Sequence, residues 1–295
     1  MAHNIFKGLG IALITPFLED GSVDYKSLIR LVEYQLNSGA DFFCILATTG
    51  ETPTLTAEEK QKIKDLIVDL VGGRVPILVG CGGNNTAAIV NELQTGDFRG
   101  VDGIRSVCPY YNKPSQEGLY QHFKAIAAAT QLPVVLYNVP GRTGVNMTAA
   151  TSVRLAYDCP NIVAIKEASG NLEQVDEIIK NSPRGFEVLS GDDALTFPMV
   201  SCGAVGAISV IGNALPREFS KMIRLQMRGE YDGARKIHHR FQDLFSLLFV
   251  DGNPAGVKCM LSEMGYIQNI LRLPLVPTRI STLQRMSEIM KELKI

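Results

Sequence analysis

Asn161-Ile162-Val163-Ala164-Ile165-Lys166 is an apolar run that ends in a lysine, and Glu167-Ala168-Ser169-Gly170 turns away immediately after it. A short run that is apolar throughout reads as a strand buried on both faces. A lysine at its end is a candidate covalent catalyst. An ordinary lysine amine is almost fully protonated at pH 7, so one that forms a Schiff base needs a desolvated or cationic setting, and the end of an apolar strand supplies it. The competing reading is a lysine that reaches solvent or pairs with Glu167.

Outward from this run, short apolar segments alternate with amphipathic charged ones. The strands expected are Gly10–Thr15, Phe42–Leu46, Val75–Val79, Gly103–Val107, Val134–Tyr137, Ile162–Lys166, Phe186–Leu189 and Gly206–Val210. Helical patterns lie between them, including Asp24–Asn37, Ala57–Val71, Glu117–Thr130 and Leu172–Asn181. Thr56 and Glu59 form a capping box, and Ser115 marks a weaker helix start. Apolar strands separated by helices argue for a parallel sheet covered on both faces, and eight such units point to a (β/α)8 TIM barrel, an α/β fold. An open doubly wound sheet is the competitor. After Asn213 no further strand is expected: 215–229, 231–250, 256–265 and 281–293 read as helices. The barrel is thus expected over 1–222, with a C-terminal helical extension packed on it over 223–295.

With 46% hydrophobic residues, 20% charged residues and a net charge of −1, the 295-residue chain has material for a large core. Nothing in that charge balance favours nucleic acid or an anionic membrane surface. Cys44, Cys81, Cys108, Cys159, Cys202 and Cys259 are scattered without C-x-x-C spacing and read as reduced, mostly core cysteines. Without a leader-like N-terminus or an apolar stretch of bilayer length, a cytoplasmic location is expected.

In a barrel, chemistry gathers at the carboxyl ends of the strands. After the second strand stands Ala47-Thr48-Thr49-Gly50-Glu51, where paired hydroxyls and backbone N–H groups suit a carboxylate or a proton relay, or form an ordinary turn before a helix. Pro109-Tyr110-Tyr111-Asn112-Lys113-Pro114 follows the fourth strand, offering a phenolic relay or a packed surface pair. The fifth ends in Tyr137-Asn138-Val139-Pro140-Gly141-Arg142-Thr143-Gly144. Tyr137 is placed to face the barrel mouth, and the Arg142 fork suits a carboxylate if it is not merely solvated. Asp192-Asp193 after the seventh strand reads as a helix cap in preference to a metal site. His3, His122, His238 and His239 lack zinc spacing, with His122 on a helix, and Gly80-Cys81-Gly82-Gly83-Asn84-Asn85 has an asparagine where a dinucleotide fingerprint carries its third glycine.

Taken together, Thr48-Thr49-Gly50-Glu51, Tyr110-Tyr111-Asn112, Tyr137 to Gly144 and Ile165-Lys166-Glu167 resemble the dihydrodipicolinate synthase and N-acetylneuraminate lyase family of pyruvate-dependent class I aldolases, over almost the whole chain. Arg142 is similar to the synthase branch, since the sialic acid lyases usually lack arginine there. The resemblance implies that Lys166 forms the Schiff base with pyruvate and that Tyr137 donates and accepts the proton. Thr48 and Tyr111 would complete the relay, Tyr111 from a neighbouring subunit of a dimer or homotetramer. Thr49 would hold the pyruvate carboxylate, Ile208 would contact pyruvate through its backbone, and Arg142 would bind the carboxylate of L-aspartate 4-semialdehyde. Neither metal nor organic cofactor is implied. Where lysine-inhibited members carry a glutamate, this chain has Ala88, and two histidines often found near that site are replaced by Ala57 and Lys60, although Asn84 and Tyr110 remain. Weak or absent lysine inhibition is therefore expected. The alternatives are an aldolase releasing pyruvate from a sialic or 2-keto-3-deoxy sugar acid, and a noncatalytic barrel that retains the fold alone.

Overall fold

The eight expected strands all form, each within three residues of its expected bounds: β1 Gly8–Ala12, β2 Phe42–Ile45, β3 Ile77–Gly80, β4 Gly103–Val107, β5 Val134–Asn138, β6 Ile162–Glu167, β7 Glu187–Ser190 and β8 Gly206–Ser209. The computed structural model describes residues 5–295. Its strands follow the order β1-β2-β3-β4-β5-β6-β7-β8 in a closed barrel, which rules out the open doubly wound sheet. The ladders are parallel, and β4, β5, β6 and β7 are buried along almost their whole length.

Between the strands run α1 Tyr25–Asn37, α2 Ala57–Val71, α3 Thr86–Thr95, α4 Gln116–Ala128, the short α5 Pro140–Thr143, α6 Ala149–Asp158, α7 Leu172–Asn181 and α8 Thr196–Ser201. They begin where the side chains can satisfy free backbone N–H groups. Asp24 caps α1 through the Ser27 N–H, Thr56 and Glu59 close a reciprocal box on α2, and Ser115 caps α4 through the Gly118 N–H. Beyond the barrel lie α9 Pro216–Met227, α10 Tyr231–Leu247, α11 Ala255–Glu263 and α12 Ile280–Leu293. The expected junction after residue 222 falls inside α9.

The chain divides into two compact units. One joins the segment ending at Gly8 to Pro76–Ile208, and the other joins Leu9–Val75 to Ser209–Ile295. The first is filled by Leu78, Ile104, Phe123, Leu136, Ile165 and Leu189. In the second, Phe42, Phe43, Ile67, Phe219, Met222 and Phe241 are buried, and Asn213 ties distant backbone together. The Asn213 amide donates to the Ala12 carbonyl at 2.8 Å, and its carbonyl oxygen accepts from the Ile14 N–H at 3.1 Å. All six cysteines are free, and five are buried; Cys202 is exposed. No helix among the described residues is long and apolar enough to cross a membrane.

Candidate active site

Neighbouring strands in register carry partner side chains on the same face of a sheet. Tyr137 on β5 is the partner of Lys166 on β6, and Val107 on β4 is the partner of Tyr137. Both polar side chains are buried, Lys166 at 6% and Tyr137 at 4% exposure. The Lys166 Nζ lies 4.5 Å from the centroid of the Tyr137 ring. An amine and a phenol, held together out of water, form the pair that imine chemistry and proton transfer require.

Glu167 does not pair with this lysine, because alternation along β6 sends it to the other face. There its oxygens accept from the Asn138 amide at 3.1 and 3.2 Å, the Gln174 amide at 3.1 Å and the Ser169 N–H at 2.7 Å. Asn138 in turn accepts from the Met147 N–H at 3.0 Å, so the network fixes the end of β6 and the loop after β5. The stem of Lys166 has room only because residue 191 is glycine. A Cβ at Gly191 would stand 2.9 Å from Cε and 3.0 Å from Cγ of Lys166. Burial, reinforced by Glu167, pushes the Cys108 thiol up to about 12, which leaves no competing nucleophile at that position.

Tyr111, in the loop after β4, and Arg142, on the short α5, belong to the same unit and are exposed, Tyr111 at 89%. The loop meets the end of α5 through backbone, the Tyr111 N–H donating to the Thr143 carbonyl at 3.4 Å. Tyr111 at φ 72° and Lys113 at φ 43° occupy the left-handed region, a costly conformation for side chains of this kind. The loop therefore holds Tyr111 outward, away from the buried Lys166 and Tyr137. Ile208 is buried on β8.

In the other unit, Thr48 and Thr49 open a 3₁₀ turn, Thr48–Gly50, with Thr49 buried and Thr48 half-buried. The Thr49 hydroxyl accepts from the Asn253 amide at 3.0 Å. Just beyond the turn, Glu51 meets Lys258 of α11 at 2.5 Å, both side chains fully buried. The Lys258 amine also donates to the Ile270 carbonyl at 2.9 Å. Burial pulls Lys258 down to about 8 against the opposing pull of Glu51. The backbone N–H of Arg272 donates to Glu51, while its guanidinium grips both oxygens of Glu59. The segment from Asn253 to Lys258 is thus the support of the threonine turn, a connection that 204 residues of sequence separation concealed.

Asp192 caps a short turn by accepting from the Ala194 N–H at 2.9 Å. Among the described residues no cluster of His, Cys, Asp and Glu is arranged to hold a metal ion. His122 is buried on α4, its Nδ1 2.8 Å from the Thr86 hydroxyl. Sequence reasoning read Asn253 to Lys258 as a well-packed junction and gave no part in the site to Gly191, Asn253, Lys258 or Arg105. The one local signal was a charged residue inside the otherwise uncharged strand Gly103-Ile104-Arg105-Ser106-Val107.

The model of the Dihydrodipicolinate synthetase family matches residues 5–293. A 4-hydroxy-tetrahydrodipicolinate synthase of Phocaeicola vulgatus is 65% identical over 295 residues, covering 100% of this chain and 99% of that protein. One from Parabacteroides distasonis is 62% identical with the same coverage. The crystal structure of dihydrodipicolinate synthase from Thermotoga maritima superposes with a TM-score of 0.96 at 40% identity, covering 99% of each chain. The match runs the length of the chain and includes the strands that hold Lys166 and Tyr137. The chain belongs to the dihydrodipicolinate synthetase family.

Proposed function

We propose that this protein condenses pyruvate with L-aspartate 4-semialdehyde to give 4-hydroxy-tetrahydrodipicolinate, in the diaminopimelate route to lysine. The observation that carries the reading is the buried pair of Lys166 and Tyr137, in register on adjacent strands, within a chain of this family. The Lys166 amine adds to the C2 carbonyl of pyruvate, and water leaves as the protonated imine forms, Tyr137 supplying the proton that this adds. A methyl proton then passes to Tyr137, while the C–H electron pair becomes the enamine double bond and the imine nitrogen becomes neutral. The enamine carbon attacks the aldehyde carbon, whose oxygen takes up a proton. Finally the amino group of the former semialdehyde attacks C2, closing the ring and expelling Lys166.

Thr48 and Tyr111 take the relay roles in this proposal, Thr49 the pyruvate carboxylate, Ile208 a backbone contact to pyruvate, and Arg142 the carboxylate of the semialdehyde. The exposed, strained setting of Tyr111 supports its donation to a neighbouring copy, in a homodimer or homotetramer. Reduced cysteines agree with a cytoplasmic location. Ala88 on the first turn of α3 has no carboxylate for a lysine ligand, so inhibition by lysine is weak or absent.

The test is a coupled assay with pyruvate and the semialdehyde, with N-acetylneuraminate and 2-keto-3-deoxygluconate as controls. Turnover of the semialdehyde alone is expected, and cleavage of a sugar acid in its place would move the protein to the lyase branch. Lys166→Ala should yield no borohydride-trapped pyruvate adduct by mass spectrometry. Tyr137→Phe should still form the adduct but turn over roughly 10²–10⁴-fold more slowly. A lysine titration showing strong inhibition below millimolar concentration would overturn the regulatory reading.

A further inference from the structure

Arg105 stands inside the barrel wall at a level where such folds ordinarily place branched apolar side chains. Its strand partner on β5 is Val135, whose partner on β6 is Ala164, so it shares the face of Tyr137 and Lys166, two residues further down the strands. It is 5% exposed. Its guanidinium carbon lies 4.6 Å from the Tyr137 ring centroid, close to the 4.5 Å of the Lys166 amine from the same centroid. The acid at its level, Glu187, is held by Lys7 at 2.7 Å, and the Arg105 Nε is sheltered without an acceptor among the described residues. A buried cation without an acid partner is expensive, and an apolar side chain would cost less. The feature that Arg105 does meet is the π face of one phenol, which attracts a cation most strongly where water is excluded.

We propose that Arg105 is a positioning residue of the reaction, acting through Tyr137: its guanidinium holds the phenol ring beside Lys166 and stabilises the negative charge the oxygen acquires as it passes its proton on. This rests on the Schiff-base reading of Lys166 but not on the identity of the aldehyde. The step it affects is the interconversion of imine and enamine, in which the methyl C–H bond breaks, its proton goes to the phenol oxygen that has already given up its own, its electron pair forms the C=C bond, and the C=N pair returns to nitrogen.

The experiment uses the full-length protein with pyruvate alone in deuterium oxide. Exchange of the methyl protons, followed by NMR, reports that step without any aldehyde, and borohydride trapping counts the chains that form the imine. Arg105→Met should trap pyruvate like the wild type yet exchange it roughly 10- to 100-fold more slowly per trapped chain. Arg105→Lys, which keeps a cation under the ring, should recover part of the loss. Exchange at the wild-type rate in Arg105→Met would overturn the proposal. So would a loss of trapping in proportion to exchange, which marks a purely structural role, or a lysine variant no better than methionine. If Arg105→Met does not fold, exchange per trapped chain in Arg105→Lys decides: a rate equal to the wild type overturns the need for a guanidinium, and a partial loss supports it. Failure of the wild type with the semialdehyde, with exchange intact, would refute the substrate assignment and leave this one standing.

Discussion

Single residues set the chemistry here through neighbours that lie far away in the sequence. Gly191 is the clearest case, because a methyl group in its place would push the Lys166 stem aside. Gly191→Ala should slow imine formation by roughly 10²-fold, the usual penalty of displacing a reacting group by about 1 Å. The rate of borohydride-trappable adduct formation measures it, with circular dichroism to show that the fold persists. Asn253→Ala removes the donor to the Thr49 hydroxyl, and on the proposed role of that threonine the KM for pyruvate should rise by roughly 5- to 10-fold, with a smaller change in kcat. Lys166 and Tyr137 could be singled out as candidates in the sequence because each ends an apolar strand and stands in a motif shared with the family. Gly191, Asn253 and Arg105 were not, since their significance lies in what another segment brings against them.

Elements were easier to read than the contacts between them. Strand and helix periods, together with capping chemistry, are local properties, and the bounds of α2 and α7 coincide with those expected. The loop after β4 was legible only as composition: neither the positive φ of Tyr111 and Lys113 nor the backbone bond from Tyr111 to Thr143 is written in local residue type. The link between α11 and the turn after β2 was hidden in the same way. Lys258→Met should therefore destabilise the protein by about 3–5 kcal/mol, because Glu51 is left as a buried unpaired charge. Urea unfolding measures the loss, and the double variant Glu51→Gln with Lys258→Met should recover most of it. Equal stability of the single and double variants would show that the buried charge carries no cost.

At the scale of the whole molecule, stability should carry the signature of a buried imidazole. Burial lowers His122 from 6.5 to about 4. Between those values the unfolded chain binds a proton that the folded chain refuses, so stability is lost as the pH falls from about 6.5 to about 4. The group's share is at most about 3 kcal/mol, and His122→Gln should flatten that part of the pH dependence of the unfolding midpoint. An unchanged slope would show that His122 titrates alike in both states. By itself the sequence determined the alternation of strand and helix, the number of strands, the candidate residues at the strand ends and the family resemblance, because each is written in local period, residue type or motif. Closure of the sheet, the placement of Arg105 and Lys166 on one tyrosine ring, and the support of Thr49 by Asn253 were decided only by the tertiary structure. Register between strands and bonds spanning up to 204 residues arise from packing, which no local pattern encodes.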